Sequence, residues 1–468
     1  MLVYRQSPYY MMEDTYERNA AFYANADYTF DRRYSISASA RYDGSNQLGR
    51  GAAKRWLPTW TFAGKWIISN EAFMENASRI VDFMSLRASY GLTANIPPSA
   101  SNAMALYYNQ ELYRPGNAEV GITLADLQNT ELTWEKNYQL NVGFDLTLFG
   151  GRLDFNVDYF NRQGFDLISQ IKVAGIGGFM WKNANYADLD SQGVDITLGG
   201  KMISTKDWTW SAHFTFGYSK NIIRNAKNSP EVFELVRQEG GNKNNYPVNS
   251  LFSIPFAGLN PETGIPMFYN EKGEIGYDCY MQGIETDFLK YEGQIDPKYT
   301  GGLNTTLRWK SLSMNLFFTF QAGNVIRLNP VFSSSYSDIT ALPNEFKDRW
   351  IMSGDEQRTD IPAIADNLMQ KLYLSSAYPY NNYNYSSARV AKGDFIRLKS
   401  LSINYELPSA LVRKSRVFKR AAVRLTAKDL WLMYSDKALN GQDPEFFNTG
   451  GVAMPVQTQF VLSLDLGF

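Results

Sequence analysis

Apolar and polar residues alternate along most of this chain, and the alternation is cleanest between Tyr138 and Phe160. Tyr138, Leu140, Val142, Phe144, Leu146 and Leu148 fall on one face, with Gln139, Asn141, Gly143, Asp145 and Thr147 on the other. A period of two marks a strand with one wet and one apolar side. Gly150-Gly151 interrupts the run and signals a hairpin. The return strand sets Leu153, Phe155, Val157 and Tyr159 against Arg152, Asp154, Asn156 and Asp158. A slip of one residue would exchange the two faces.

The same pattern predicts strands at 22–30 and 34–42 around a turn at Asp31-Arg32-Arg33, then at 60–68 and 84–92 with a short helical turn at 69–81 between them. A loop of about 93–131 precedes the Tyr138 hairpin, and another lies around 174–183. Strands follow at 187–200 and 208–218. Region 221–299 reads as a weak hairpin at 251–259 and 265–269 between extended loops. Residues 303–309 and 312–320 flank a tight turn at Lys310-Ser311. The longest loop, about 322–393, holds the tyrosine-rich run YLSSAYPYNNYNYSS. Residues 396–405 alternate with a change of phase near Lys399, which predicts a bulge. Strands at 423–428 and 460–468 complete a count of about fifteen.

The apolar faces could meet a second sheet or lipid. The clearest strands are near ten residues, and at ~3.3 Å per residue and ~40° of tilt they rise about 25 Å, the height of an outer-membrane apolar band. Connections alternate short and long, as periplasmic turns and external loops do. Polar faces carry Arg41, Lys65, Arg87, Arg152, Arg308, Lys310, Arg424 and Lys428. A basic residue at the bilayer midplane costs ~2–4 kcal/mol, so these faces, with Arg152, Asp154 and Asp158, belong on a wet lumen. The closing strand ends on Phe468, which resembles the last strand of bacterial outer-membrane barrels. Aromatics make up 15% of the 468 residues, a share that suits interfacial girdles. No run of 18 apolar residues exists, which excludes a transmembrane helix only. A net charge of −1 gives no basic field for nucleic acid. The expectation is an all-β chain, a transmembrane antiparallel β-barrel over residues 1–468. If short turns are periplasmic, the first and last strands both run downward, and an odd count of this kind predicts further strands upstream.

Five stretches carry a family resemblance: SLRASYGLTAN (85–95), NTELTWEKNYQLNVGFDLTLFGGRLDFNVDYFNRQGFDLI (129–168), FAGLNPETGIPMFYN (256–270), GDFIRLKSLSINYELP (393–408) and ALNGQDPEF (438–446). In order and spacing they resemble the C-terminal half of SusC/RagA-type TonB-dependent transporters of Bacteroidetes. The resemblance implies a 22-strand barrel in a Gram-negative outer membrane, import of glycan or peptide oligomers, coupling to the TonB complex, and a SusD-like surface lipoprotein as lid. It implies no enzyme activity and no cofactor. The chain shows no signal peptide, TonB box or plug pattern, and about seven early strands of such a barrel are unaccounted for. The family's energy-coupling residues therefore map to no position here. A truncated or split remnant without transport activity stays open as an alternative.

Candidate chemistry is sparse. One cysteine, Cys279, excludes an internal disulfide, and one histidine, His213, excludes zinc motifs that need two. His213 lies on a polar strand face between Ser211 and Thr215, which favours a lumen-lining role over a catalytic base. An outer-membrane hydrolase, needing a base–nucleophile cluster, is the rival from another class, and a soluble glycan-binding β-protein is a third. DLDSQGVD (188–195) opens like a calcium loop, but Gly199 occupies the place of the bidentate glutamate, so a strand is expected. GIGG (175–178) lacks the strand–helix setting of a phosphate cradle. Loop aromatics are the better binding candidates, because rings stack on sugar faces or pack on partners: Phe179, Trp181, Tyr378, Tyr380, Tyr383 and Tyr385. No catalytic or metal-binding residue is expected.

Overall fold

The computed structural model describes residues 17–97, 106–114, 117–124, 128–175, 180–330, 344–364, 378–414, 417–445 and 457–467. Thirteen strands form one continuous sheet: β1 (Asn19–Phe30), β2 (Tyr34–Ser45), β3 (Trp56–Ile67), β4 (Val81–Asn95), β5 (Glu135–Leu148), β6 (Leu153–Lys172), β7 (Trp181–Ser204), β8 (Trp208–Arg224), β9 (Tyr299–Trp309), β10 (Leu312–Ala322), β11 (Phe395–Glu406), β12 (Arg420–Ser435) and β13 (Gln459–Gly467). Each pairs antiparallel with the next, and β1 and β13 are the two edges. The hairpin read first is β5–β6, in the register Val142↔Tyr159 and Leu148↔Leu153. Its turn needs left-handed backbone at three successive residues, Phe149 (φ 59°), Gly150 (70°) and Gly151 (72°). Glycine enters that region without strain, which accounts for the Gly-Gly pair.

Cross-strand pairing turns the alternation into a continuous apolar face. Ile36 meets Gly64, Phe62 meets Tyr90, Tyr90 meets Leu140, Phe155 meets Leu198, Phe214 meets Leu303, Met314 meets Ile403 and Leu425 meets Leu462. This face looks outward: Ile36, Phe62, Tyr90 and Leu462 are exposed. The largest fully buried side chains of the described residues lie in connections instead, among them Tyr383, Phe252, Phe268, Leu48 and Leu132. An exposed apolar surface of this extent needs an apolar environment. Rings frame it at both rims. Tyr34 stacks on Trp66 at 6.4 Å and Trp208 on Trp309 at 5.8 Å beside the short turns. Toward the other rim, Tyr42 stacks on Trp56 at 5.0 Å, Trp60 meets Tyr90 at 5.6 Å and Tyr218 meets Tyr299 at 5.4 Å. Trp56 and Trp66 stand ten residues apart on β3, as do Trp208 and Tyr218 on β8. Ten tilted residues rise about 25 Å, so the rings bracket one hydrocarbon thickness.

The expected strands and short turns are present, with three differences. The strands run longer than their alternating cores: β7 has 24 residues and β6 has 20. The count of about fifteen becomes thirteen, because the hairpin read at 251–269 is not in the wall. That region forms small separate sheets, Ser250–Ser253 with Lys290–Gln294, and Phe256–Leu259 with Pro266–Tyr269 and Ile275–Gly276. The loop read at 93–131 also contains a hairpin, Leu106–Arg114 with Asn117–Leu124. The bulge expected near Lys399 is there: Phe317 faces Ser400 and Phe318 faces Leu398, which leaves Lys399 without an opposite residue in the register. Segment 188–195 lies within β7 rather than a calcium loop. Phe468 and residues 176–178 of GIGG fall outside the described residues.

Candidate functional site at the long-loop end

The wall presents its polar face to the lumen. There Arg87 Nη1 lies 3.1 Å from Asp145, and its Nη2 lies 2.6 Å from Asp158 Oδ2. Ser85 Oγ donates to Asp145 at 2.9 Å. Gly143 makes this bridge possible, since a Cβ there would stand 2.2 Å from Arg87 Nε and 2.6 Å from Asp158 Oδ1. Nearer the short turns, Asp154, Ser211 and His213 line one cleft of about 290 Å³. Gly199 separates Asp154 from His213 across the strands. The Asp154 carboxylate accepts instead from Thr147 at 2.9 Å. Among the described residues no hydrogen bond joins the three, so they do not form a proton relay, and no trio of His, Cys, Asp and Glu converges on a metal position.

At the other rim the two longest connections, 225–298 and 323–394, fold together into a cap. Its core packs Val232, Leu235, Val236, Phe252, Ile254, Phe268, Cys279 and Leu289 from the first against Phe346 and Tyr383 from the second. Arg327 ties the two. Its guanidinium donates to Phe252 O at 2.6 Å, Ser253 Oγ at 3.1 Å and Ser386 O at 2.8 Å. Burial pushes its pKa down to about 9, which still leaves it charged at neutral pH. The Cys279 thiol, buried with Glu271 and Asp278 nearby, is pushed up to about 12 and stays protonated and inert.

This core takes up Tyr383 and Tyr385 of the tyrosine run, and Tyr380 is buried beside them in sequence. Tyr380 and Tyr383 keep only 3% and 1% of their surface, and the Tyr383 hydroxyl is pushed up to about 12 by burial. Tyr385 packs against the same core and meets Phe233 edge-on at 5.8 Å. Tyr380 and Tyr383 are therefore packing residues of the cap, a correction to the expectation that their rings are open to ligand. Two connections from one apolar core need large side chains to fill it, and these supply them. Tyr378 is 69% exposed, and Phe179 lies outside the described residues.

Trp181 does line a pocket. It opens β7 opposite Lys172, the last residue of β6. A cavity of about 320 Å³ lies between these strand ends and the 228–249 segment of the cap, with Gln170, Lys172, Trp181, Glu234, Asn242 and Asn249 on its walls. Lys172 Nζ stands over the Trp181 ring, 5.4 Å from its centroid, and is held 2.7 Å from Glu231 and 3.7 Å from Glu234. Its place among the loop aromatics singled out Trp181 but not Glu234, Asn242 and Asn249, which come from a segment more than forty residues away.

Residues from the family segments also hold together loops and several loop–wall joints. Arg397, from GDFIRLKS, is buried and pairs with Asp443 and, at 3.1 Å, with Glu445 of GQDPEF. The bulged Lys399 reaches Asp429 at 2.7 Å. Asn260 of NPETG accepts from the backbone of Glu262 and Thr263 and donates to Tyr277 Oη at 2.7 Å, which closes a tight turn. Trp134 Nε1 donates to Arg55 O at 3.0 Å beside buried Leu48 and Leu132.

The family profile described as TonB dependent receptor-like, beta-barrel, matches residues 3–325. The chain belongs to that family. TonB-dependent receptor P3 of Formosa agariphila is 27% identical over 440 residues, covering 90% of this chain and 41% of the receptor. TonB-dependent receptor SusC of Bacteroides thetaiotaomicron is 24% identical over 235 residues, 49% of this chain and 22% of SusC. The solved RagAB peptide transporter superposes with a TM-score of 0.76 at 23% identity, covering 97% of this chain and 47% of that one. The chain spans less than half the length of these relatives. It is thus a TonB-dependent receptor-like barrel chain, and its family places it in the Gram-negative outer membrane.

Proposed function

We propose that this chain forms wall and surface cap of a non-enzymatic nutrient importer, energised through the TonB complex, whose cargo is an oligosaccharide or a peptide and whose lid is a SusD-like surface lipoprotein. The observation that carries the reading is the pairing of two surfaces on one sheet. An apolar face bounded by two ring girdles backs a polar lumen wall, and a folded cap stands at the lumen's long-loop rim. A pore wall with a rigid mouth serves capture and passage of a polar solute. In this arrangement short turns lie in the periplasm and the cap lies outside. The relatives' names, a receptor dependent on TonB and a peptide transporter, support coupling and cargo of this kind.

Deletion of the gene in the native host tests the reading. Growth is compared with the parent on single oligosaccharides and on peptide mixtures as the limiting nutrient. Loss of growth on at least one, restored by the gene in trans, is the expected result. Unchanged growth on every source would remove import from the account.

A further inference from the structure

We propose that the short-turn rim of the wall, from the β7–β8 turn to the β11–β12 connection, is a docking surface for anionic phospholipid head groups of the inner leaflet. The inference rests on the proposed function only for setting the short turns in the periplasm, and it gives this rim a partner of its own. The rim is one continuous surface. Lys310 N donates to Asp207 O at 2.8 Å, joining the turns at 205–207 and 310–311, and Glu406 N donates to Ser311 O at 2.9 Å, which brings in the end of β11. Leu407 N then donates to Ala421 O at 2.9 Å and Lys419 N to Gly467 O at 2.7 Å, so both ends of the 407–419 connection are fixed to β12 and β13. Lys206, Lys310, Lys414 and Lys419 stand exposed along this arc, and among the described residues none of the four is in an ion pair. Of the two acidic residues there, Glu406 is held by Arg420 at 2.6 Å. Among the described residues of the arc, Asp207 is left to oppose four ammonium groups.

The side chains among these cations decide for lipid over a soluble anion. Trp208 and Trp309, the stacked pair of the girdle, are both exposed, and Lys310 Nζ stands 5.8 Å from the centroid of the Trp309 ring. Indoles favour the level of the head groups, where one side is apolar and the other wet. Leu411 and Val417 are more than half exposed. They belong to the connection LPSALVRKSRVFK (407–419), which holds four basic residues and no acidic one. Open apolar side chains beside lysines gain nothing in water, but between head groups they enter the acyl boundary while the ammonium groups meet phosphate. The arc is also continuous with the outward apolar face, so a lipid whose chains lie on that face has its head group at this level. A basic segment next to the bilayer draws lipids of net negative charge over zwitterionic ones.

Electron spin resonance of the protein, extracted from outer membranes and reconstituted in phosphatidylcholine bilayers, tests this. Spin-labelled phosphatidylglycerol and spin-labelled phosphatidylcholine are the probes, and the fraction of each held at the protein surface gives a relative association constant. The anionic probe should be favoured at least about threefold in low salt. The preference should vanish in about 1 M salt, where the screening length is about 3 Å. Replacing Lys206, Lys310, Lys414 and Lys419 together by Gln should abolish it, and replacing all four by Arg should preserve it. If the fourfold Gln variant gives no folded band resistant to SDS before heating, the pairs Lys206→Gln with Lys310→Gln and Lys414→Gln with Lys419→Gln should each lower it. Equal association of the two probes overturns the proposal and leaves the arc to a soluble acidic partner. An unchanged preference in the Gln variants overturns it as well. So does loss of the preference to excess inorganic phosphate at matched ionic strength, which would mean a free-anion site. Each of these results leaves the growth test, and so the import reading, standing.

Discussion

Arg327 is the polar tie between the two halves of the cap. Three acceptors from two connections converge on its guanidinium, and none can turn to water if it is removed. Arg327→Met should weaken the cap by roughly 3 kcal/mol or more, because hydrogen bonds to a charged group and the desolvation of orphaned acceptors are lost together. Limited trypsin digestion of the membrane-embedded protein checks this. Cuts should appear within 225–298 while the thirteen strands resist, and an uncut cap would assign the joint to apolar packing alone. No feature of the sequence marks Arg327, since an arginine between Ile326 and Leu328 reads as surface. Burial pays off only once two segments some 60–75 residues away supply carbonyls. The tyrosines misled for a related reason. Tyr378 and Tyr383 look alike in the string, yet one is open and the other is packed under Phe256 at 5.7 Å.

Wall strands were the most legible elements, because lipid imposes the period of two on every residue between the girdles. Asn141 and Val142 are neighbours on β5 and face opposite media, midway between the levels of the two ring girdles. Val142→Arg sets a charge at the midplane and should cost ~2–4 kcal/mol, whereas Asn141→Arg enters water and should change little. The fraction of heat-modifiable folded protein recovered from outer membranes compares them, and a lower yield for Asn141→Arg than for Val142→Arg would mean that the faces are assigned the wrong way round. Strand ends were less legible. Above the girdles lipid no longer enforces alternation, so β6 and β7 continue as a polar ribbon through Gln170 and Asn183, and their pairing carries register shifts at Gly164 and Leu167. The cap's short strands were hardest to read, since four-residue segments such as Ser250–Ser253 are buried on all sides and show no period at all.

At the scale of the molecule, the sheet has two free margins. Among the described residues, β1 and β13 leave one row of backbone groups each without a neighbour, beside outward residues as open as Phe22 and Leu462 at 69% and 73% exposure. Hydrocarbon offers no partner to such groups, so in a bilayer both margins must be paired. Amides of 19–30 and 459–467 should therefore exchange slowly with deuterium in native outer membranes, as slowly as those of β8. Exchange within minutes would mean an open sheet. With thirteen strands the margins run in the same direction, and antiparallel closure takes an odd number of added strands.

The cap also dictates a sequence of events. Its two halves are linked through β9, a turn at Lys310 and Ser311, and β10, so the polypeptide leaves the first half, crosses the membrane and returns before reaching the second. With short turns in the periplasm, neither half can complete the common core on the inner side and then be passed across. Each has to travel as an open strand of chain, and the core closes only after the hairpin between them has been threaded. Protection of Phe252 and Tyr383 is thus a clock for biogenesis, because it starts when that hairpin is in place.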